Sequence, residues 1–362
     1  MQKYKFSRQA IILKILKFSP VIGAFLGLVV AALFLMLWKI NPIEFFTELI
    51  KGAIGSKTAI GSTLNRATPY MIVGAATAIA YKAGAQNMGQ EGQVFMGGLG
   101  AGMVAVLLPH IPSPFALAFA LIGSMVFGAL FAGIAVLFRL VKGVNEILST
   151  LILNYIGTLI VSALIIGPLK SSTSSSYPHT DSFGKQFLLI QWKSFGYLHA
   201  GIFIALLVVA GASYFLWIHP AGLRLRMAGS SPLACRTAGG NPKKIFVRAM
   251  LACGALSGLA GGIELLGKYN NLRSGYATSL GWDALIVALL AGLNPNGVIP
   301  AAVFFGALYT GINSMQRTLG VPSALLSLIK GCIMVFIISG TALQQYMKVK
   351  PKMVKKEVAI NE

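Results

Sequence analysis

Gly84-Ala85-Gln86-Asn87-Met88-Gly89-Gln90-Glu91-Gly92-Gln93 sets five polar side chains and three glycines between two apolar runs, Ala67–Tyr81 and Val94–Leu108. Backbone this irregular survives at membrane depth only against protein or beside a water-lined cavity. Read blandly, the stretch is a surface turn with a helix cap. Read functionally, it breaks a helix on the route of a polar solute. The flanks decide whether the second reading is open at all.

Those flanks belong to a series of ten apolar runs: Pro20–Trp38, Ala67–Tyr81, Val94–Leu108, Phe115–Phe138, Ile147–Ile166, His199–Ile218, Met250–Gly267, Trp282–Leu293, Val298–Ile312 and Ala324–Ala342. A spanning helix needs roughly 20 apolar residues. The eighth run is too short to cross alone at about 1.5 Å rise per residue. It is either broken or extended by the polar stretch Tyr276–Gly281. Hydrophobic residues make up 56% of the chain and charged ones 11%, and mean hydropathy is +0.76. A soluble protein of that composition would expose too much apolar surface to water. The fold class that follows is an all-α polytopic membrane protein of about ten transmembrane helices, some broken or re-entrant.

Thirty Lys+Arg face nine Asp+Glu, for a formal charge of +21. Nucleic-acid binding would cluster those cations along one groove; here they sit between apolar runs, so no nucleic-acid partner is expected. With the N-terminus inside, 19 basic residues fall on the inner side and 10 on the outer, Arg66 among the latter, with Lys330 inside the last run. That bias predicts a multi-pass protein of the cell (inner) membrane with both termini cytoplasmic. Its parts are a basic N-terminus (residues 1–19), a transmembrane domain (20–342) containing a basic inner loop (219–248), and a basic tail (343–362) that is expected to be disordered from Met347 on. Lys3, Lys5, Arg8, Lys14 and Lys17 precede the first run, but no small-residue cleavage site follows it, so it reads as an uncleaved span. Gly167–Leu198, with its Ser171–Ser176 tract, reads as a mobile outer loop.

Chemistry is sparse. Cys235, Cys253 and Cys332 form no disulfide framework, and the four histidines have no ligand spacing, so neither a metal nor a cofactor is expected. Gly262-Ile263-Glu264-Leu265-Leu266-Gly267-Lys268 fits most of a phosphate-binding loop, but Tyr269 replaces the required Ser/Thr and a membrane helix replaces the strand. No nucleophile–base pair appears either, so the chain is not expected to be an enzyme.

Six further features stand out. Leu280-Gly281-Trp282-Asp283 resembles Met88-Gly89-Gln90-Glu91, and the helices after them run oppositely across the bilayer, as in an inverted repeat. Asn154 and Tyr155 lie deep in the fifth run, as interhelical glue or as solute contacts. Glu264 is either an interfacial carboxylate in water or part of the pathway. Asn145-Glu146 reads as a helix cap. Gly254, Gly258 and Gly262 recur every four residues, the spacing that lets helices approach closely. In the inner loop, Ser231-Pro232 starts a short helix and Gly239-Gly240 stops it, which makes a capped knob for a partner or a surface helix on headgroups.

Asn87-Met88-Gly89-Gln90-Glu91-Gly92-Gln93 resembles the Asn-Ile-Gly-x-Glu-Gly-Gln signature of ABC-importer permeases of the branched-chain amino acid and simple sugar superfamily, closest to its nucleoside (guanosine-type) branch. Asn145–Ile156 resembles that branch's fifth-span segment, and Ser257–Glu264 and Gly281–Leu290 are similar to further segments. The family's bulky apolar pair before the Asn is here Ala85-Gln86, and its apolar residue between Gly and Glu is Gln90. The resemblance implies about ten spans with an inverted repeat, a second permease subunit (homologous or identical), two cytoplasmic ATPase subunits and an extracytoplasmic substrate-binding lipoprotein. On it, Asn87, Gln90, Glu91, Gln93, Asn154, Tyr155 and Asp283 are expected along the substrate pathway. Ser231, Pro232, Leu233, Arg236, Ala238 and Gly239 are expected to couple to the ATPase. The expected function is inward movement of a nucleoside or similar small polar solute. The alternative is an ATP-independent secondary transporter with Glu91 or Asp283 as its proton-coupled carboxylate.

Overall fold

The computed structural model describes residues 19–36, 41–113, 115–172 and 177–358. The basic residues before Ser19, the Thr173–Ser176 tract and residues 359–362 lie outside that range. The described residues contain thirteen α-helices, two single-turn 3-10 helices (Lys185–Phe187 and Lys193–Phe195) and one small strand pair. Each of the ten apolar runs falls on a helix, but the boundaries shift for physical reasons.

In residues 53–309, one of two compact units, α3 (Lys57–Lys82) begins ten residues before its apolar run. Ser56 caps it, accepting from the Ala59 N–H at 3.0 Å. Its first turns carry Asn65 and Arg66, so hydropathy alone hides them. α4 (Gln90–Leu107) starts four residues early, at the polar end of the interruption. α5 (Phe115–Lys142) and α6 (Glu146–Ile166) follow, the latter capped by Asn145, which accepts from the Ile147 N–H. α7 (Gly201–Trp217) bends by 72° into α8 (Pro220–Ser230), a helix absent from the sequence reading. α9 (Pro232–Thr237) is the short loop helix. Pro242 then opens α10 (Pro242–Lys268) at its first position, where its missing N–H is harmless. α11 (Leu280–Leu290) and the part of α12 (Pro295–Thr318) up to Tyr309 complete this unit.

The loop after α6, expected from its composition to be mobile, is hydrogen-bonded where it is described. Ser171 N–H donates to His179 O, Thr180 N–H to Leu272 O, Phe183 N–H to Asn270 O and Leu189 N–H to Leu266 O. β1 (Gln191–Trp192) pairs antiparallel with β2 (Leu198–His199). Three of these bonds tie the segment to the end of α10 (Leu266) and the stretch after it (Asn270, Leu272), where polar composition alone suggests a free loop.

The other unit comprises residues 1–52 and 310–362. In it α1 (Ser19–Met36) lies against α13 (Ser323–Val358). Gly27 meets Ile333, Gly23 meets Phe336, and the Ser19 hydroxyl donates to Gly340 O at 2.7 Å. α13 carries on through Val358, where the sequence reading placed a disordered tail. α2 (Pro42–Ile54) is an amphipathic helix too short to register as an apolar run.

Among the described residues, five helices are long and apolar enough to cross a membrane (α1, α5, α6, α10 and α12), or six if bent α7–α8 is one span. Polar ends remove α3 and α4 from that count, and α11 has only 11 residues. The protein is therefore an all-α, multi-pass membrane protein whose interrupted helices lie among full-length ones.

Candidate functional site

The interruption after α3 is braced from within. Asn87 and Gln93 exchange amide hydrogen bonds, Nδ2 to Oε1 at 2.9 Å and Nε2 to Oδ1 at 3.2 Å. Asn87 Nδ2 also donates to Cys253 Sγ at 3.2 Å, and Asn87 Oδ1 accepts from the Gly89 N–H. Asn154 on α6 closes the other side: its Oδ1 accepts from the Gly92 N–H at 2.9 Å and its Nδ2 donates to Met88 O at 2.6 Å. The Thr150 hydroxyl accepts from the Met88 N–H. Gln90 donates to the Thr77 hydroxyl at 3.1 Å. Broken backbone in an apolar setting is stable only when its donors and acceptors are met, and these side chains meet them.

Glu91 joins this break to the second one. Its carboxylate accepts the Ser279 N–H at 2.6 Å and the Gly281 N–H at 2.7 Å. Those amides sit at the start of α11, where unsatisfied N–H groups and the helix dipole favour a negative charge. Gly281 is tight against the Gln90–Glu91 backbone, and a Cβ there would overlap it. The two helix N-termini therefore abut.

The neighbours fix the directions. Gly97 lies opposite Gly258 and Ala101 opposite Gly262, so α4 follows α10. Asp283 lies beside Tyr70 and Val287 beside Gly74, so α11 follows α3. α10 runs against α3, with Cys253 near Asn87 at one end and Glu264 near Arg66 at the other. α4 and α11 thus leave their junction in opposite directions.

Beside the junction lies a buried charge cluster. Arg66 Nε donates to the Tyr70 hydroxyl at 2.9 Å, which donates to Asp283 Oδ2 at 2.5 Å. The Arg66 guanidinium is 3.7 Å from Asp283 and 3.8 Å from Glu264, and stacks 3.9 Å from the Tyr309 ring centroid. Lys268 reaches Glu264 at 3.3 Å. Arg66 is 5% exposed, Asp283 3% and Glu264 1%. Arg66 is therefore not an outer-loop charge, and Glu264 is not an interfacial carboxylate in water. Arg66 is the buried cation between two buried carboxylates, and Lys268, whose side chain is 44% exposed, offsets Glu264 from the rim. The sequence reading missed Arg66 and Tyr70 as site residues. Their i, i+4 spacing, with Glu264 and Lys268 at the same spacing, was the available signal.

The other predicted residues divide. Tyr155, next to Asn154, is 65% exposed on the outer face of α6 and does not join the junction. Gly254 lies against Gly128 and Ala132, Gly258 against Ser124 and Gly128, and Gly262 against Ser124, all across from α5. In α9 the Ser231 hydroxyl accepts from the Ala234 N–H at 3.2 Å, Pro232 is the first helical residue, and Gly239 ends the turn with φ +76°. Leu233 is 71% exposed while Cys235 is buried. Arg236 and Ala238 are also exposed.

Among the described residues no group of His, Cys, Asp and Glu could hold a metal ion. What the site can do is mechanical: it fastens two interrupted helices to each other and to α3 and α10.

The family described as "Branched-chain amino acid transport system / permease component" matches residues 59–338. The chain is 30% identical over 336 residues to the guanosine ABC transporter permease protein NupP of Bacillus subtilis, covering 92% of this chain and 96% of that protein. It is 28% identical over 327 residues to the nucleoside ABC transporter permease protein NupB of Lactococcus lactis, covering 88% and 89%. It is 27% identical over 338 residues to the glucose ABC transporter permease protein TsgB13 of Haloferax volcanii, covering 91% and 88%.

Proposed function

The chain belongs to the branched-chain amino acid transport system permease family, and from that premise we propose that it imports a nucleoside or similar small polar solute as the membrane subunit of an ABC importer. The observation that carries the mechanism is the Glu91–Gly281 junction, where two interrupted helices abut and depart in opposite directions. Such an arrangement suits an inverted repeat whose halves rock about a midplane site. On this reading the ten helices that coincide with apolar runs are ten crossings, and both termini are cytoplasmic.

Alternating access requires two states and a force that favours one over the other. α9, capped and largely exposed in the middle of the basic loop, is the contact through which an ATPase subunit pushes. The Arg66–Asp283–Glu264 cluster is the fastening that must shear when α3, α10 and α11 part. Asn87, Gln93 and Asn154 hold the break in shape, and Gln90 and Glu91 stand where it meets α11. Two ATPase subunits, a second permease subunit and an external binding lipoprotein complete the machine. The proton-driven alternative gains nothing from this geometry, since Glu91 and Asp283 both have fixed partners inside the protein.

Three relatives are named for guanosine or nucleoside, two for glucose and one for riboflavin, which favours a nucleoside here. The test is uptake by proteoliposomes holding the whole complex. Expected is ATP-dependent accumulation of labelled guanosine that excess unlabelled nucleoside abolishes and excess glucose does not. Glucose accumulation without nucleoside accumulation overturns the solute assignment.

A further inference from the structure

A cavity of about 500 Å³ opens between the C-terminal end of α3, the α7–α8 bend and the turn after α11. It lies apart from the Glu91–Gly281 contact, although Tyr81 of its wall donates to Met88 Sδ in the interruption at 3.6 Å. Lys82 and Arg226 bring two cations to its wall, and no carboxylate lines it. The sequence between Asp181 and Glu264 contains no acid at all. Both cations lean on one indole: Arg226 lies 4.8 Å from the Trp217 ring centroid and Lys82 lies 6.0 Å from it. Arg226 Nε is buried without a hydrogen-bond partner. A guanidinium donor hidden from water and left unmet points to an acceptor that belongs in the cavity.

The rest of the wall identifies the source of that acceptor. Leu223, Met227 and Leu293 are apolar. The mouth is flanked by exposed Trp217 and Ile218 at the end of α7, whose exposed face carries Phe203, Leu207 and Tyr214. An aromatic at a helix end above an apolar face marks the headgroup level of a bilayer, with acyl chains alongside. A basic pocket between helices at that level suits an anionic headgroup. We propose that this cavity seats the phosphate of an anionic phospholipid, with Arg226 and Lys82 as its ligands and the acyl chains lying along α7.

The test is retention of phosphatidylglycerol by the full-length chain from nanodiscs of phosphatidylcholine with added phosphatidylglycerol, read by native mass spectrometry. Wild type is expected to retain phosphatidylglycerol over phosphatidylcholine. Arg226→Gln and Lys82→Gln should each weaken retention by roughly fivefold, the scale for one basic residue at an anionic surface. Arg226→Lys should keep most of it, and Lys142→Gln, an equal charge loss on exposed α5, should leave it unchanged. No preference in wild type, or equal loss with Lys142→Gln, overturns the site. Displacement of the lipid by millimolar inorganic phosphate overturns the lipid assignment in favour of a soluble anion. If Arg226→Gln leaves lipid retention intact but releases the copurifying ATPase, the cavity is a protein contact and the proposal fails.

Discussion

Glu91 is placed to accept and never to donate, because both its carboxylate oxygens face backbone N–H groups of α11. Glu91→Gln keeps the shape but turns one acceptor into an amide donor against an N–H. The expected loss is about 1–3 kcal/mol, the cost of an unmet buried donor, read as a lowered melting temperature in detergent. Melting like wild type would mean that the carboxylate's contacts with α11 are dispensable. Arg66 poses a sharper case. Arg66→Met leaves Asp283 and Glu264 buried beside fewer cations, and breaking a buried ion cluster costs about 3–5 kcal/mol. Adding Asp283→Asn to Arg66→Met should cost less than the sum of the two single changes, because the second change removes a charge that the first had stranded. Strict additivity in chemical-denaturation midpoints would show that the two residues are not coupled.

At the scale of the element, glycine does two different jobs. Gly258 sits where a Cβ would overlap Ser124 O and the Gly128 Cα, so α10 and α5 touch through backbone. Gly258→Leu should force the two helices apart and abolish monodisperse protein in size-exclusion chromatography. Gly211, on α7, has open space around it; Gly211→Ala should be neutral or raise stability by about 0.5–1 kcal/mol through helix propensity. If both behave alike, close approach is not what selects glycine in α10. The same contrast explains what could be read from sequence. The glycine repeat, the capped α9 and the polar interruption were legible because each is written in a local pattern of one to twelve residues. Arg66 and Tyr70 were not, because their partners Asp283 and Glu264 lie about 200 residues away and only the packing of α3 on α10 and α11 brings them together. α8 was missed because its sequence, rich in Arg and Gly, has no apolar periodicity, although the histidine cap and Pro220 were in plain view. The loop after α6 misled in the opposite sense: its composition is that of a free loop, but three of its backbone hydrogen bonds are spent on the end of α10 and the stretch after it.

For the whole molecule, the question is where the energy of transport enters. The two central carboxylates are tied to backbone amides or to a tyrosine and an arginine. A proton-coupled carrier needs a carboxylate that gains and loses its proton through the cycle, and each of these would have to break its contacts first. A partner that pushes on α9 needs only an exposed, stiff contact, and α9 has both an N-cap and a proline start. Placing Glu at both Arg236 and Ala238 inverts the charge there without touching the buried Cys235. The expected result is ATP hydrolysis at a normal rate with solute uptake reduced at least tenfold, in complexes that melt as wild type does. Undiminished uptake would remove α9 from the drive train. The companion experiment omits the ATPase altogether: the permease alone, sealed into liposomes under a proton gradient, should let no solute build up inside. Build-up there would mean that the force arises within this chain, and Glu91 and Asp283 would be the first places to look for it.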